Sequence, residues 1–236
     1  MEILEYLLWS FFIFAPVYVY LTHEKEQQDV IEQRLSRNTV YVRTIAFLWL
    51  PTALLLFLVA QGHLPAQSIG LVWNNNIGNL ICGGLVIAFI VYLAVSLTQL
   101  NKDQSNDEEV VKSLDFVRWL MPQKRSEIQL FVLGVSLSAG ICEELLFRGF
   151  LLNQLLEIMP VYGAVIVSSL LFGLPHLYQG PTHIFRTAAM GVLMAVIYLV
   201  CDSIYVPIVL HALFDIYGGI MAYIVLSRNQ KNVVSA

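Results

Sequence analysis

The 236-residue sequence predicts an all-α fold: a polytopic membrane helix bundle with about seven transmembrane helices. Three observations carry this. Hydrophobic residues make up 58% of the chain, charged residues only 13%, and the mean hydropathy is +0.70. A soluble domain holds about 25% charged residues, so the solvent this composition suits is lipid. Apolar runs of bilayer length recur along the chain, and the basic residues gather in alternate loops.

The spans are expected near 3–21, 40–60, 77–99, 128–157, 161–177, 185–201 and 204–226, each close to the roughly 20 residues a bilayer needs. The first is read as a retained span, because Glu2 and Glu5 stand where a signal peptide would carry Lys or Arg and no small-x-small cleavage site follows. The fourth run is about 30 residues, roughly 45 Å of helix, so it is expected to tilt, break near Ala139–Gly140 or project from the membrane. Between the third and fourth spans, Ser105 and Glu108 have capping-box spacing. Val110, Leu114, Val117 and Met121 then recur at helical intervals before Pro122. This predicts a short amphipathic helix, either at the cytoplasmic interface or packed on the protein as an ordinary loop helix. The resulting organisation is 1–100 for three N-terminal spans, 101–127 for the loop and its helix, 128–226 for a C-terminal bundle and 227–236 for a tail.

Charge sets the orientation. Lys25, Arg34, Arg37 and Arg43 surround the first loop, while 61–76 has no Lys or Arg. Lys102, Lys112, Arg118, Lys124 and Arg125 fill the third loop, Arg186 stands at the start of the sixth span, and Arg228 and Lys231 follow the seventh. Seven spans with the N-terminus outside and the C-terminus cytoplasmic satisfy the positive-inside rule, in a multi-pass protein of the cell membrane. Of 13 basic residues only Arg148 lies inside a span away from its ends. No basic stripe interleaves with aromatics, which argues against nucleic-acid binding. Cys82, Cys142 and Cys201 are odd in number and match no metal-binding spacing, so they read as buried hydrophobes. His23, His63 and His183 read as solvated loop or span-end residues.

Ionisable side chains within spans cost about 2.5–3.5 kcal/mol each on insertion scales and are functional candidates by default. The first three spans, nearly free of them, read as packing elements. The C-terminal four concentrate them: Glu143, Glu144 and Arg148, then His176, then His211 and Asp215. Glu144 and Arg148 are four apart and can pair on one helix face, which leaves Glu143 without a cation on its own helix. A desolvated carboxylate of this kind suits a general base. His211 and Asp215 are also four apart, so Asp215 could orient the imidazole. Pro160 falls between Glu143 and His176, and a hairpin there would bring the two to similar depth. His211 is harder to place. Counted along its helix it lies about 10 Å in from the start of its span, against about 24 Å for His176. Convergence requires a tilted fifth helix or a loop near 201–207 that enters the membrane.

Three ordered motifs resemble those of the CPBP family, the CAAX prenyl proteases and bacteriocin-processing enzymes long called Abi. They are Glu143-Glu144-Leu145-Leu146-Phe147-Arg148 for EExxxR, Phe172-Gly173-Leu174-Pro175-His176 for FxxxH, and His211-Ala212-Leu213-Phe214-Asp215 for HxxxN. The resemblance covers 128–226 and implies an intramembrane endopeptidase of the kind labelled a metallopeptidase. Glu143 and His176 would activate water, while His211 and Asp215 would help hold the oxyanion. Asp215 departs from the Asn of the prenyl-peptidase pattern. An ionised Asp cannot donate a hydrogen bond, so it must be protonated, orient His211 or bind a metal. Zn²⁺ held by Glu143, His176, His211 and Asp215 stands as an alternative to a metal-free water. The expected partners are membrane lipids and a peptide or protein substrate. A membrane-associated or lipidated peptide, a leader or a precursor peptide would suit. A non-catalytic scaffold or bacteriocin-immunity protein is the rival reading. A proton-coupled transporter fits less well, since the N-terminal half lacks a counterpart of the charged motifs.

Overall fold

The computed structural model describes the backbone of residues 2–234 and the side chains of residues 3–228, with no strand among the described residues. Seven helices are long and apolar enough to cross a membrane. In chain order the elements are α1 (Glu2–Ile31), α2 (Arg37–Ala60), α3 (Ile77–Lys102), the short α4 (Asp107–Ser113), α5 (Arg125–Leu156) and α6 (Val161–Gly173). A 3₁₀ segment (Leu174–Gln179) extends α6, and α7 (Pro181–Cys201) and α8 (Tyr205–Val234) complete the bundle.

Local chemistry sets the boundaries. Ser36 caps α2 by accepting from the Thr39 N–H, and Asn76 caps α3 by accepting from the Asn79 N–H. Pro181 opens α7 after Gly180, whose φ of +108° lies where a side chain would be strained. Asp202 ends α7 in the left-handed region at φ +51°, its N–H bonded to the Tyr198 carbonyl. Large apolar side chains point outward on α1, α2 and α3, among them Phe14, Leu50, Leu80 and Ile87. Such surfaces suit lipid and would be a liability in water.

The helix α5 is the axis. Leu145, Leu146, Phe150, Leu151 and Leu152 are buried against Leu8 and Phe12 of α1, Leu55 and Leu58 of α2, and Phe172 of α6. This span does not break at Ala139–Gly140. It continues as one helix of 32 residues in which two segments, Phe131–Ser136 and Leu145–Leu152, wind as π-helix. Gly140 serves close packing instead: a Cβ there would sit 2.9 Å from Ala212 N and Ile208 O of α8.

The predicted amphipathic helix is cut short. Only Asp107–Ser113 is helical, and the Asn106 at its N-cap makes no side-chain cap, so the expected Ser105–Glu108 box does not form. The Ser105 N–H bonds to Asp103 instead. Beyond it, 114–124 runs as a strap across the end of the bundle. Leu114 and Val117 pack on Ala222 and Leu226 of α8, and Trp119 packs on Val30 and Val40. These tertiary contacts outweigh the local helical pattern. The first helix outruns its expected end by ten residues. The tail expected at 227–236 continues as helix to Val234, and 235–236 lie outside the described residues.

Candidate active site

Glu143, Glu144 and Arg148 come from the middle of α5, His176 from the 3₁₀ extension of α6, and His211 and Asp215 from the first turns of α8. The depth mismatch between the two histidines is resolved by a plug. Segment 61–76 folds back into the protein, with Ile69 buried and its carbonyl 3.0 Å from where a Gly149 Cβ would lie. The turn at 202–204 is fastened beneath it. Ile204 N–H donates to the Gly70 carbonyl at 2.9 Å, Asn76 and Asn79 donate to the Cys201 carbonyl, and Ser203 and Ile204 are fully buried. The start of α8 is thus set inside the protein. Glu144 and His211 lie about 8 and 10 Å along their helices from this common plug.

Glu144 is the centre of the charged cluster. One oxygen, Oε1, accepts from Arg148 Nη1 at 2.9 Å and from His211 Nδ1 at 2.7 Å. Arg148 Nη2 donates to the Gly191 carbonyl of α7 at 3.1 Å, and its guanidinium lies 4.3 Å from the centroid of Phe172. Both members of the pair are buried, at 0% and 2% exposure. A buried charge without its partner is costly, and here the guanidinium meets the carboxylate, a carbonyl and an aromatic face at once.

Orientation of the imidazole therefore falls to Glu144, not to Asp215 as the spacing suggested. With Nδ1 donating to Glu144, His211 Nε2 faces Glu143 Oε2 and Asp215 Oδ2, each at 3.8 Å. These gaps exceed a direct hydrogen bond and match a position for bridging water. The Asp215 side chain is 37% exposed, against 10% for His211, and neither residue lines the main cavity.

That cavity, about 630 Å³, is lined by Glu143 and His176 together with Phe147, Phe172 and Pro175. His176 Nδ1 is buried and faces the Phe172 carbonyl one turn back without a bond of good geometry. Phe172 stands between the parts of the site, its centroid 6.0 Å from His176 and 5.8 Å from His211. Two carboxylates adjacent in sequence thus have different surroundings: Glu144 is held by Arg148 and His211, and Glu143 reaches the open space. Among the described residues no three His, Cys, Asp or Glu side chains gather into a group able to hold a metal ion.

The sequence missed several contributors. Helices α1 and α2, read as packing elements, supply much of the cavity wall through Phe11, Phe12, Tyr18, Val40, Phe47 and Leu48. His23, read as solvated, lines the same cavity and sits 5.8 Å from the ring of Tyr178. His183 lies against Phe116 of the strap, at 3.8 Å between centroids. Gly191 acts through its carbonyl, which carries no side-chain signal. Asn153 steadies the π segment: its Nδ2 lies 2.9 and 2.8 Å from the Arg148 and Gly149 carbonyls and 2.7 Å from Tyr198 Oη.

Residues 125–217 match the family model described as type II CAAX prenyl endopeptidase, Rce1-like. The matched segment is well under half of the chain, so the likeness is to this region alone. All six charged or imidazole groups of the cluster fall inside the matched segment, while α1 to α4 and the strap fall before it. A relative in Bacillus subtilis (strain 168), YdiL, whose designation as a membrane peptidase is provisional, is 30% identical over 94 residues. Those residues are 40% of this chain and 38% of the relative, so the likeness spans well under half of either. No solved structure matches the chain at the same stringency.

Proposed function

We propose that the protein is an intramembrane endopeptidase that hydrolyses membrane-associated or lipidated peptides, or leader and precursor peptides, with a water activated by Glu143 and His176. One observation carries the reading: Glu143 and His176 share one cavity, while the adjacent carboxylate Glu144 is held off it by Arg148 and His211. A proton acceptor is left facing the space where a peptide would lie, and its neighbour is occupied. The family match and the likeness to YdiL support hydrolysis over binding alone.

In this mechanism Glu143 takes a proton from water, and the oxygen attacks the peptide carbonyl. Glu143 then returns that proton to the leaving amine as the C–N bond breaks. His176 holds the water on the cavity side. His211, held through Nδ1–H by Glu144, acts in this scheme as an imidazolium whose Nε2–H donates to the negative charge that builds on the attacked oxygen. Asp215, 3.8 Å from that same nitrogen, balances charge on the imidazole. In this scheme Glu143 supplies the base, and no step draws on a metal.

The test compares peptide termini in membranes and medium from cells producing the wild type, Glu143→Gln at matched abundance, or neither. Termini that depend on the wild type and fall roughly 10²–10⁴-fold in the variant support the proposal. Identical termini in all three would remove it in favour of a scaffold. With a purified protein and a cleaved peptide in hand, activity is expected to survive EDTA. Loss restored by Zn²⁺ would replace the metal-free mechanism.

A further inference from the structure

The cavity above Glu143 is closed by a part of the chain outside the family match. Its end wall includes Trp119 and Leu120, from the strap at 114–124, whereas the matched region begins at residue 125. Both residues are fixed to α2 through their backbones. The Trp119 carbonyl accepts from Arg37 Nε at 2.8 Å, and the Leu120 carbonyl accepts from Tyr41 Oη at 2.6 Å. The strap is anchored again by Glu127, whose Oε2 accepts from the N–H groups of Gln123 and Lys124, and by Phe116 on His183.

Helix α2 then serves as a ruler between the end wall and the charged cluster. Trp119 packs on Val40, whereas Leu48 packs on Cys142, the neighbour of Glu143. Eight residues of helix separate those two levels, about 12 Å. An extended peptide advances about 3.3 Å per residue, so this distance spans three to four residues. The lining beside Trp119 is apolar, supplied by Leu35 and Val40.

Resting on the peptidase reading, we propose that Trp119 and Leu120 close a substrate subsite that takes an apolar side chain three to four residues from the cleaved bond, and that their bulk sets the size accepted. The selectivity of the protein would then be written in the strap, apart from the groups that break the bond.

The test uses the full-length protein in native membranes, with Glu143-dependent termini aligned on the cleaved bond. Trp119→Ala lengthens the subsite and is expected to enrich Phe, Tyr and Trp three to four residues from the bond by about tenfold, the selectivity a pocket gains from a few methylenes. Leu120→Phe shortens it and is expected to shift the same positions toward Ala and Val. Opposite shifts from the two variants are what a change in fold would not produce. If Trp119→Ala fails to accumulate, Trp119→Leu and Leu120→Phe make the same comparison. Unchanged composition at those positions, or a shift confined to the residues flanking the bond, overturns the proposal. If no termini depend on Glu143, the peptidase reading itself has failed and the subsite falls with it.

Discussion

At the scale of single residues, the arrangement around Arg148 is the one most exposed to test. Its guanidinium is 2% exposed and meets Glu144, the Gly191 carbonyl and the Phe172 ring. Arg148→Ala would strand the Glu144 carboxylate, and removing one partner of a buried pair costs about 3–5 kcal/mol. Thermal unfolding in detergent is expected to show this loss. The pair Glu144→Gln with Arg148→Met should recover much of the stability, while activity stays lost because His211 no longer has an anion on Nδ1. Arg148→Lys is not expected to rescue either property, since an ammonium cannot reproduce the fork that reaches Glu144 and Gly191 together. A variant with Arg148→Ala as stable as the wild type would contradict this account. The carboxylates, the arginine and the histidines were legible in the sequence because an ionisable group in an apolar run stands out. What they touch was less so. Spacing suggested Asp215 as the partner of His211, but periodicity reports only neighbours on one helix, and Glu144 arrives from another. The roles of Phe172 and of the Gly191 carbonyl left no mark, because an aromatic ring and a backbone oxygen look the same in any apolar span.

At the scale of elements, the seven spans were legible because the cost of exposing backbone polar groups to lipid forces each long apolar run into a helix. The winding of α5 was not. A 32-residue helix can relieve its excess length by breaking, and the Ala139–Gly140 pair suggested that it would. Instead Gly140 is spent on contact with α8, and the departures from α-helix fall in Phe131–Ser136 and in Leu145–Leu152, the second just beyond the glutamates. Gly140→Ala is a direct test. The added methyl would meet the backbone of Ile208 and Ala212 at 2.9 Å, atoms that cannot swing aside. The helices must separate, and with them Glu143 and Glu144 from His211. Cleavage is expected to fall at least about tenfold, since small misplacements of catalytic groups carry large penalties. Helix content measured by circular dichroism should remain. Asn153→Ala should act similarly but more mildly, because the Arg148 and Gly149 carbonyls lose a donor while the helix stays in contact with its neighbours. Wild-type turnover in the Gly140 variant would mean that the close approach of α5 and α8 does not position the site.

For the whole molecule, the question is which side of the membrane the cavity serves. Its charged rim includes His23, Lys25, Glu26, Asp29 and Arg43, at the end of α1 and the start of α2, and the strap crosses the same end. Those residues flank the loop that the positive-inside rule assigns to the cytoplasm. The plug at 61–76, with no Lys or Arg, lies on the opposite side of the charged cluster, where it fastens the turn at 202–204. One face of the bundle is thus sealed by its own chain, and the other opens on a rim of mixed charge beside the strap. If the rule holds, substrates reach Glu143 from the cytoplasmic side, and the outer face never sees the site. Single cysteines in a variant without Cys82, Cys142 and Cys201 can decide this, since those three are buried and their removal leaves the surface unchanged. Gln67→Cys is expected to react with a membrane-impermeant maleimide in intact cells. Lys25→Cys and Lys112→Cys should react only after the membrane is opened. The reverse pattern would turn the protein over and place the cavity mouth outside, where its candidate substrates would be secreted peptides instead of cytoplasmic or newly inserted ones.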